Sequence, residues 1–368
     1  MNIKLKNTQE QIELIKAMGS KDRNVAMEAQ TAFAAFIGGV IQQVLNMAAS
    51  SNAIFANWNY NEDDSPSFPL DMFYGTSVNE VQVWQQNMAG GVPSSLVTGL
   101  QELKFTPYQL DSAVSLYTKN VRRGRLPYVA LALNRMAQEL LRKQELNRWS
   151  VVLKALAEAS TNGTDHLIGA STANVLQLDE FNKLITLSKR INAAFDGQST
   201  SDYSGGITDI FLSPENMEQV RAMVYQPSNN IAGYKTTNGS NYAAATSVAL
   251  PDGIREQMYQ SGGATEVFGI TLHEMLELGD AKRYGTLFDA FYSGSAPTFT
   301  SASDDLMIGV DAGREACVVA VATNDNGTNV TAAPDDSYSA RSGKIGFYTI
   351  KEEAPAIIDS RCLVGCVI

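Results

Sequence analysis

The run from Pro127 to about Ala159 reads as one continuous helix, and its length constrains the chain more than any other feature. A helix of that many residues extends roughly 50 Å at about 1.5 Å per residue, beyond the three or four turns that suffice inside a compact domain. Pro127 suits the first helical position, and Asn162-Gly163 supply residues that tolerate a left-handed stop. Val129, Leu133, Met136 and Leu140 form an apolar stripe that resumes at Trp149, Val152, Leu153 and Leu156. Between them Arg142-Lys143-Gln144-Glu145 is polar all round. The pattern predicts packed ends, a partly exposed middle and an i, i+4 pair between Glu139 and Lys143.

Around this helix the chain alternates between helical and extended patterns. Residues 1 to about 50 read as weakly amphipathic helix with a bend at Gly38-Gly39, and form an N-terminal arm. Val81, Val83 and Trp84, then Phe105 to Leu116, suggest two strands of a long hairpin around the tip Gly90-Gly91-Val92-Pro93-Ser94-Ser95. Such a hairpin has no core of its own and needs something to lie on.

After the long helix the pattern is conventional. Leu178 to Phe195 predicts a helix, Ile207 to Leu212 a strand, and Ser213-Pro214-Glu215 a capped helix start. Gln226 to Val248 predicts an irregular loop. Strands are expected at Val267 to Leu272, Glu315 to Val321, Lys344 to Tyr348 and Ile357 to Ile368.

Charge narrows the function classes. The net charge of −11 argues against general affinity for nucleic acid or an anionic membrane. Between Lys119 and Arg148, however, eight basic residues face two acidic ones, so the remaining chain carries −17. A basic segment on an acidic body can bind a copy of that body. The N-terminus predicts no signal peptide, and the apolar stretch Phe33 to Leu45 is too short to span a bilayer. Cys317, Cys362 and Cys366 are few and odd in number, which suits a reducing compartment. Cys362 and Cys366 read as buried residues on one strand face, about 13 Å apart and too far for a disulfide.

No motif in the sequence carries chemistry. His273-Glu274-Met275-Leu276-Glu277 has glutamate where a zinc-protease helix needs its second histidine. His166, beside Asp165, reads as a loop histidine. Phosphate loop, nucleophile elbow and dinucleotide fingerprint are all missing, so neither catalysis nor a cofactor or metal is expected.

The order of parts resembles the major capsid proteins of tailed phages, the Hong Kong 97 fold. The resemblance covers nearly the whole chain. It rests on Arg122-Arg123-Gly124-Arg125-Leu126-Pro127 leading into the helix, Ile210-Phe211-Leu212-Ser213-Pro214 before another, and Phe268-Gly269-Ile270-Thr271-Leu272 before Glu277-Leu278-Gly279. Lys344-Ile345-Gly346-Phe347-Tyr348 and Ala356 to Arg361 look like the family's closing strands.

The resemblance implies an α+β chain with an N-terminal arm (1–53), an extended hairpin loop (54–125) and a peripheral lobe with a spine helix (126–205). An axial lobe (206–309) and a return to the peripheral lobe (310–368) complete it. It also implies a structural subunit of an icosahedral or prolate shell. Hexamers and pentamers of this chain would enclose double-stranded DNA without sequence-specific binding, in the virion and, during assembly, in the host cytoplasm. Scaffolding, portal and decoration proteins are the expected further partners, the scaffold as a separate chain because only about 50 residues precede the hairpin. Trp84, Lys104, Arg122, Arg123 and Arg125 are the expected inter-subunit contacts. An encapsulin-like compartment subunit shares this fold, and an enzyme using His273 and Glu277 is the rival from another class.

Overall fold

The computed structural model describes residues 8–69, 102–160, 166–196, 206–225, 266–324, 328–335 and 343–368. Trp84, the proposed hairpin tip, Asn162-Gly163 and the 226–248 loop lie outside these residues. The chain divides into two compact units, one of residues 1–49, 57–144 and 319–358, the other of 50–56, 145–318 and 359–368.

In the first unit, helices α1 (Gln9–Met18) and α2 (Arg23–Ala48) form a helical pair. Gln30 of α2 donates its side-chain amide to the Met18 carbonyl at the end of α1, where helical bonding runs out. The helix α2 runs uninterrupted through Gly38 and Gly39. A Cβ on Gly38 would lie 3.1 Å from the Val330 carbonyl oxygen, so this glycine serves close approach. At 26 residues α2 is long and apolar enough to cross a membrane, longer than the apolar stretch read from sequence. Its buried Phe33, Ile37, Ile41 and Leu45 are nevertheless part of the unit's own core.

That core also takes Val129, Leu133, Met136 and Leu140 from the first part of the long helix, and Leu116, Ile345 and Phe347 from a sheet. The sheet orders strands β1 (Ala56–Asn61), β10 (Cys317–Thr323), β12 (Lys344–Ile357) and β11 (Thr331–Asp335), with β4 (Tyr108–Tyr117) also on β12. Here the structure departs from expectation. The strand read as half of a coreless hairpin is β4, and it pairs antiparallel with β12 from Lys344↔Tyr117 to Glu353↔Tyr108. A short ribbon of β2 (Ser67–Pro69) and β3 (Glu102–Lys104) pairs Ser67 with Lys104.

The second unit is built on a six-stranded sheet in the order β5 (Leu167–Gly169), β13 (Leu363–Val367), β9 (Leu306–Val310), β6 (Asp209–Leu212), β8 (Ile270–Glu274) and β7 (Glu266–Val267). The single strand expected over Val267 to Leu272 is a hairpin instead, because Phe268 and Gly269 both take positive φ, 55° and 79°, and reverse the chain. Phe181 and Leu184 of α5 (Leu178–Asp196), and Met217 and Val220 of α6 (Pro214–Tyr225), share a core with this sheet. Ser213 opens α6 as its sequence suggests, accepting the Asn216 N–H at 3.1 Å.

The long helix, α4 (Leu126–Ser160), is 35 residues, with Pro127 second in it. Residues 126–144 belong to the first unit and 145–160 to the second. Its polar middle is partly exposed, as the pattern predicts. Arg142 and Lys143 face solvent, whereas Gln144 and Arg148 are buried. Buried Lys351 bonds Gln144 at 2.6 Å, and Arg148 donates to Asn52 at 2.7 Å. Glu139 pairs with Arg142 at 4.0 Å on the open surface, not with Lys143.

Candidate functional site

The basic segment ahead of α4 owes its form to a short helix and its stop. Helix α3 (Thr118–Arg122) is anchored by fully buried Val121. Beyond Arg123 the chain reverses at Gly124, whose φ of 65° is the left-handed conformation that glycine adopts without steric cost. Gly124 N–H bonds the Val121 carbonyl at 2.8 Å and Arg125 N–H bonds that of Asn120 at 3.3 Å, the paired bonds of a Schellman stop. With the backbone thus satisfied, Arg122, Arg123 and Arg125 are left exposed on one tight turn.

A second segment joins them. Arg122 donates its Nε–H to the Gly19 carbonyl at 2.5 Å. Gly19 follows α1, and Lys21 and Arg23 follow Gly19, both exposed. Lys16 of α1 runs beside Gly124, its Cε 3.1 Å from where a Cβ on that glycine would stand. Lys16, Lys21 and Arg23 were not legible as part of this surface, because about a hundred residues separate them from the arginines. Among the described residues, none of Lys16, Lys21, Arg23, Lys119, Arg122, Arg123 and Arg125 forms an ion pair. Lys104, exposed on β3, lies on a separate element.

The remaining sequence candidates have structural partners. His273 bonds Asp209 through Nε2 at 2.7 Å and stacks on Phe211 with ring centroids 4.8 Å apart. Burial works against the charge of Asp209, but hydrogen bonds from His273 and Thr208 outweigh it and hold the carboxyl below its usual range. The histidine thus partners Asp209, on β6, and not Glu277. His166 is buried and donates Nδ1–H to the Leu363 carbonyl at 2.8 Å, which makes it a core fastener and not a free loop group.

Cys362 sits in a 3-10 turn ahead of β13, so it does not share a strand face with Cys366. Its neighbour is Cys317, with the two sulfurs 3.6 Å apart. The bond between Cys362 and Cys317, with burial, raises the Cys362 thiol, and burial pushes Cys366 up to about 12, so both stay protonated at neutral pH. No cluster of three metal-binding side chains occurs among the described residues.

No protein-family model matches the sequence, and no curated protein matches it. Solved structures do. A structure of Microbacterium phage Oxtober96 aligns at 11% identity with a TM-score of 0.49, over 87% of this chain and 90% of that one. The mature capsid of bacteriophage PhiM1 aligns at 9% and 0.46, over 86% of both chains. The SrpI encapsulin of Synechococcus elongatus PCC 7942 aligns at 8% and 0.39, over 73% of this chain and 75% of that one.

Proposed function

We propose that this chain is the structural subunit of a phage capsid, a non-enzymatic shell protein of the Hong Kong 97 type that assembles with copies of itself. The observation that carries the reading is α4, a 35-residue helix serving two compact α+β units. It is preceded by α1 and α2, then by the β2–β3 ribbon, β4 and α3, which supports the arm and loop that the sequence resemblance implies. The exposed cations ahead of α4 add to it, since they lack an intrachain counter-ion among the described residues while the chain carries −11.

In this reading residues 1–53 act as the arm, 54–125 as the extended loop, 126–205 with 310–368 as the peripheral lobe and 206–309 as the axial lobe. Arg122, Arg123 and Arg125 meet acidic residues of a neighbouring copy, and Trp84 and Lys104 contact that neighbour from the loop. The shell encloses DNA in the virion, after assembly in the host cytoplasm with scaffolding, portal and decoration proteins.

Negative-stain electron microscopy of the purified full-length chain, at low and moderate salt, tests the proposal. Closed shells or hexameric rings are the expected result, and a uniform monomer under every condition overturns it. Particles filled with protein cargo in place of nucleic acid would assign the chain to a compartment shell.

A further inference from the structure

The basic surface has a stated chemistry, and the same unit carries its complement. Three elements supply its cations: Lys16 on α1, Lys21 and Arg23 around the α1–α2 turn, and Lys119, Arg122, Arg123 and Arg125 around α3. Glu10, Glu13 and Asp22 are the carboxylates on these stretches, and Asp22 is engaged in accepting the Asn24 N–H that caps α2. Seven cations therefore stand on stretches that carry three anions.

The acidic partner stands between β1 and β2. Glu62, Asp63 and Asp64 occupy a tight turn closed by Asp64 N–H on the Asn61 carbonyl at 2.9 Å, and all three are exposed. None of them forms an ion pair with another described residue. Three adjacent carboxylates repel one another unless cations approach. One chain thus displays a cationic surface and an acidic turn that form no ion pair among the described residues.

We infer that the turn Glu62-Asp63-Asp64 of one copy docks on the Lys16, Lys21, Arg23, Arg122, Arg123 and Arg125 surface of a second copy. The inference rests on the shell reading and names the contact within it. A second copy fits better than a nucleic-acid duplex, because a body of −11 repels a polyanion while its own acidic turn is attracted. Charge pairs of this kind fix register and orientation more than they add affinity. They would orient copies of a chain that otherwise repel.

Charge exchange in the full chain tests this. One variant carries Lys21→Glu, Arg123→Glu and Arg125→Glu; a second carries Glu62→Lys, Asp63→Lys and Asp64→Lys; a third carries all six. These side chains make no described core contact, and matched melting curves check that each variant folds. The assembled fraction is expected to fall about tenfold in each of the first two and to return to near the starting level in the third.

Assembly in either triple variant, or no recovery in the six-fold one, overturns the inference while leaving the shell reading in place. Loss of co-purifying nucleic acid in the first variant alone, without recovery in the third, would assign the surface to DNA. Cross-linking supplies a readout that does not need closed shells. Arg123→Cys and Asp63→Cys chains mixed with a short bis-maleimide should give a heterodimer, and its absence in a sample that assembles rejects the contact. If the unaltered chain does not assemble and the mixed Arg123→Cys and Asp63→Cys chains do not cross-link, the shell reading itself fails.

Discussion

Lys351 donates from Nζ to Gln144 Oε1 at 2.6 Å, across 207 residues of sequence. The same ammonium lies 3.0 Å from Glu353, whose other contacts include the Tyr108 hydroxyl at 2.7 Å. Strand β12 thus places a cation and an anion two residues apart on one face, both buried, where α4 and β4 supply polar partners. Removing one member of such a pair leaves a charge in low dielectric.

Lys351→Met is therefore expected to destabilise the chain by about 3–5 kcal/mol in urea unfolding. Lys351→Met with Glu353→Leu should recover a substantial part of that loss, because no isolated charge remains. Equal losses in the single and double variants would show that the pair contributes packing and not charge.

Asp305 controls a separate pH window. Burial, reinforced by Asp280 and Glu215, outweighs the hydrogen bond from Ser213 and the Leu306 N–H, pushing its carboxyl up to about 6. Asn216 also donates to it, at 2.6 Å. In the unfolded chain the group titrates near 4. The folded state therefore binds the extra proton between about pH 4 and 6, and stability falls as pH rises through that window, by about 3 kcal/mol at most. Asp305→Asn should flatten urea midpoints measured between about pH 4 and 6. Asp209 and Asp359, held below the usual range, lose their contribution only as pH falls below about 4. An unchanged slope in the Asn variant would remove Asp305 from the account.

Gly38 and Gly39 should separate under the same substitution. A Cβ on Gly39 meets nothing within 4 Å, so Gly39→Ala is expected to stabilise by about 0.5–1 kcal/mol through helix propensity. At Gly38 the same Cβ presses on the Val330 carbonyl at 3.1 Å, and the gain should vanish or reverse. Thermal melts of the two variants check this; equal gains would mean that β11 yields freely.

Phe268 carries an aromatic side chain at φ 55° while half exposed. Left-handed backbone costs a non-glycine residue roughly 1–2 kcal/mol, and asparagine before glycine is the preferred pair in such a turn. Phe268→Asn is expected to raise stability by about 1 kcal/mol. A lowered melting temperature would instead identify the ring as a packing element.

The sequence by itself determined the local elements, because their signals lie within a few residues of one another. Apolar spacing marked the long helix, Ser213-Pro214-Glu215 marked the start of α6, and Arg122 to Arg125 marked a basic stretch leading into the long helix. Tertiary structure alone decided the partners. Nothing near Phe105 to Leu116 says that this strand pairs with residues 344–353, and nothing near Cys317 points to Cys362. Which residues of the partly exposed middle of α4 are buried was not legible, because burial of Gln144 and Arg148 depends on Lys351 and Asn52, remote in sequence. The cationic surface was half legible for the same reason: its arginines are contiguous, whereas Lys16, Lys21 and Arg23 join them only once α1 packs against α3. Caps and periodicity are written in neighbouring residues; register, buried polar pairing and charge convergence are fixed only when distant segments satisfy one another's hydrogen bonds and charges.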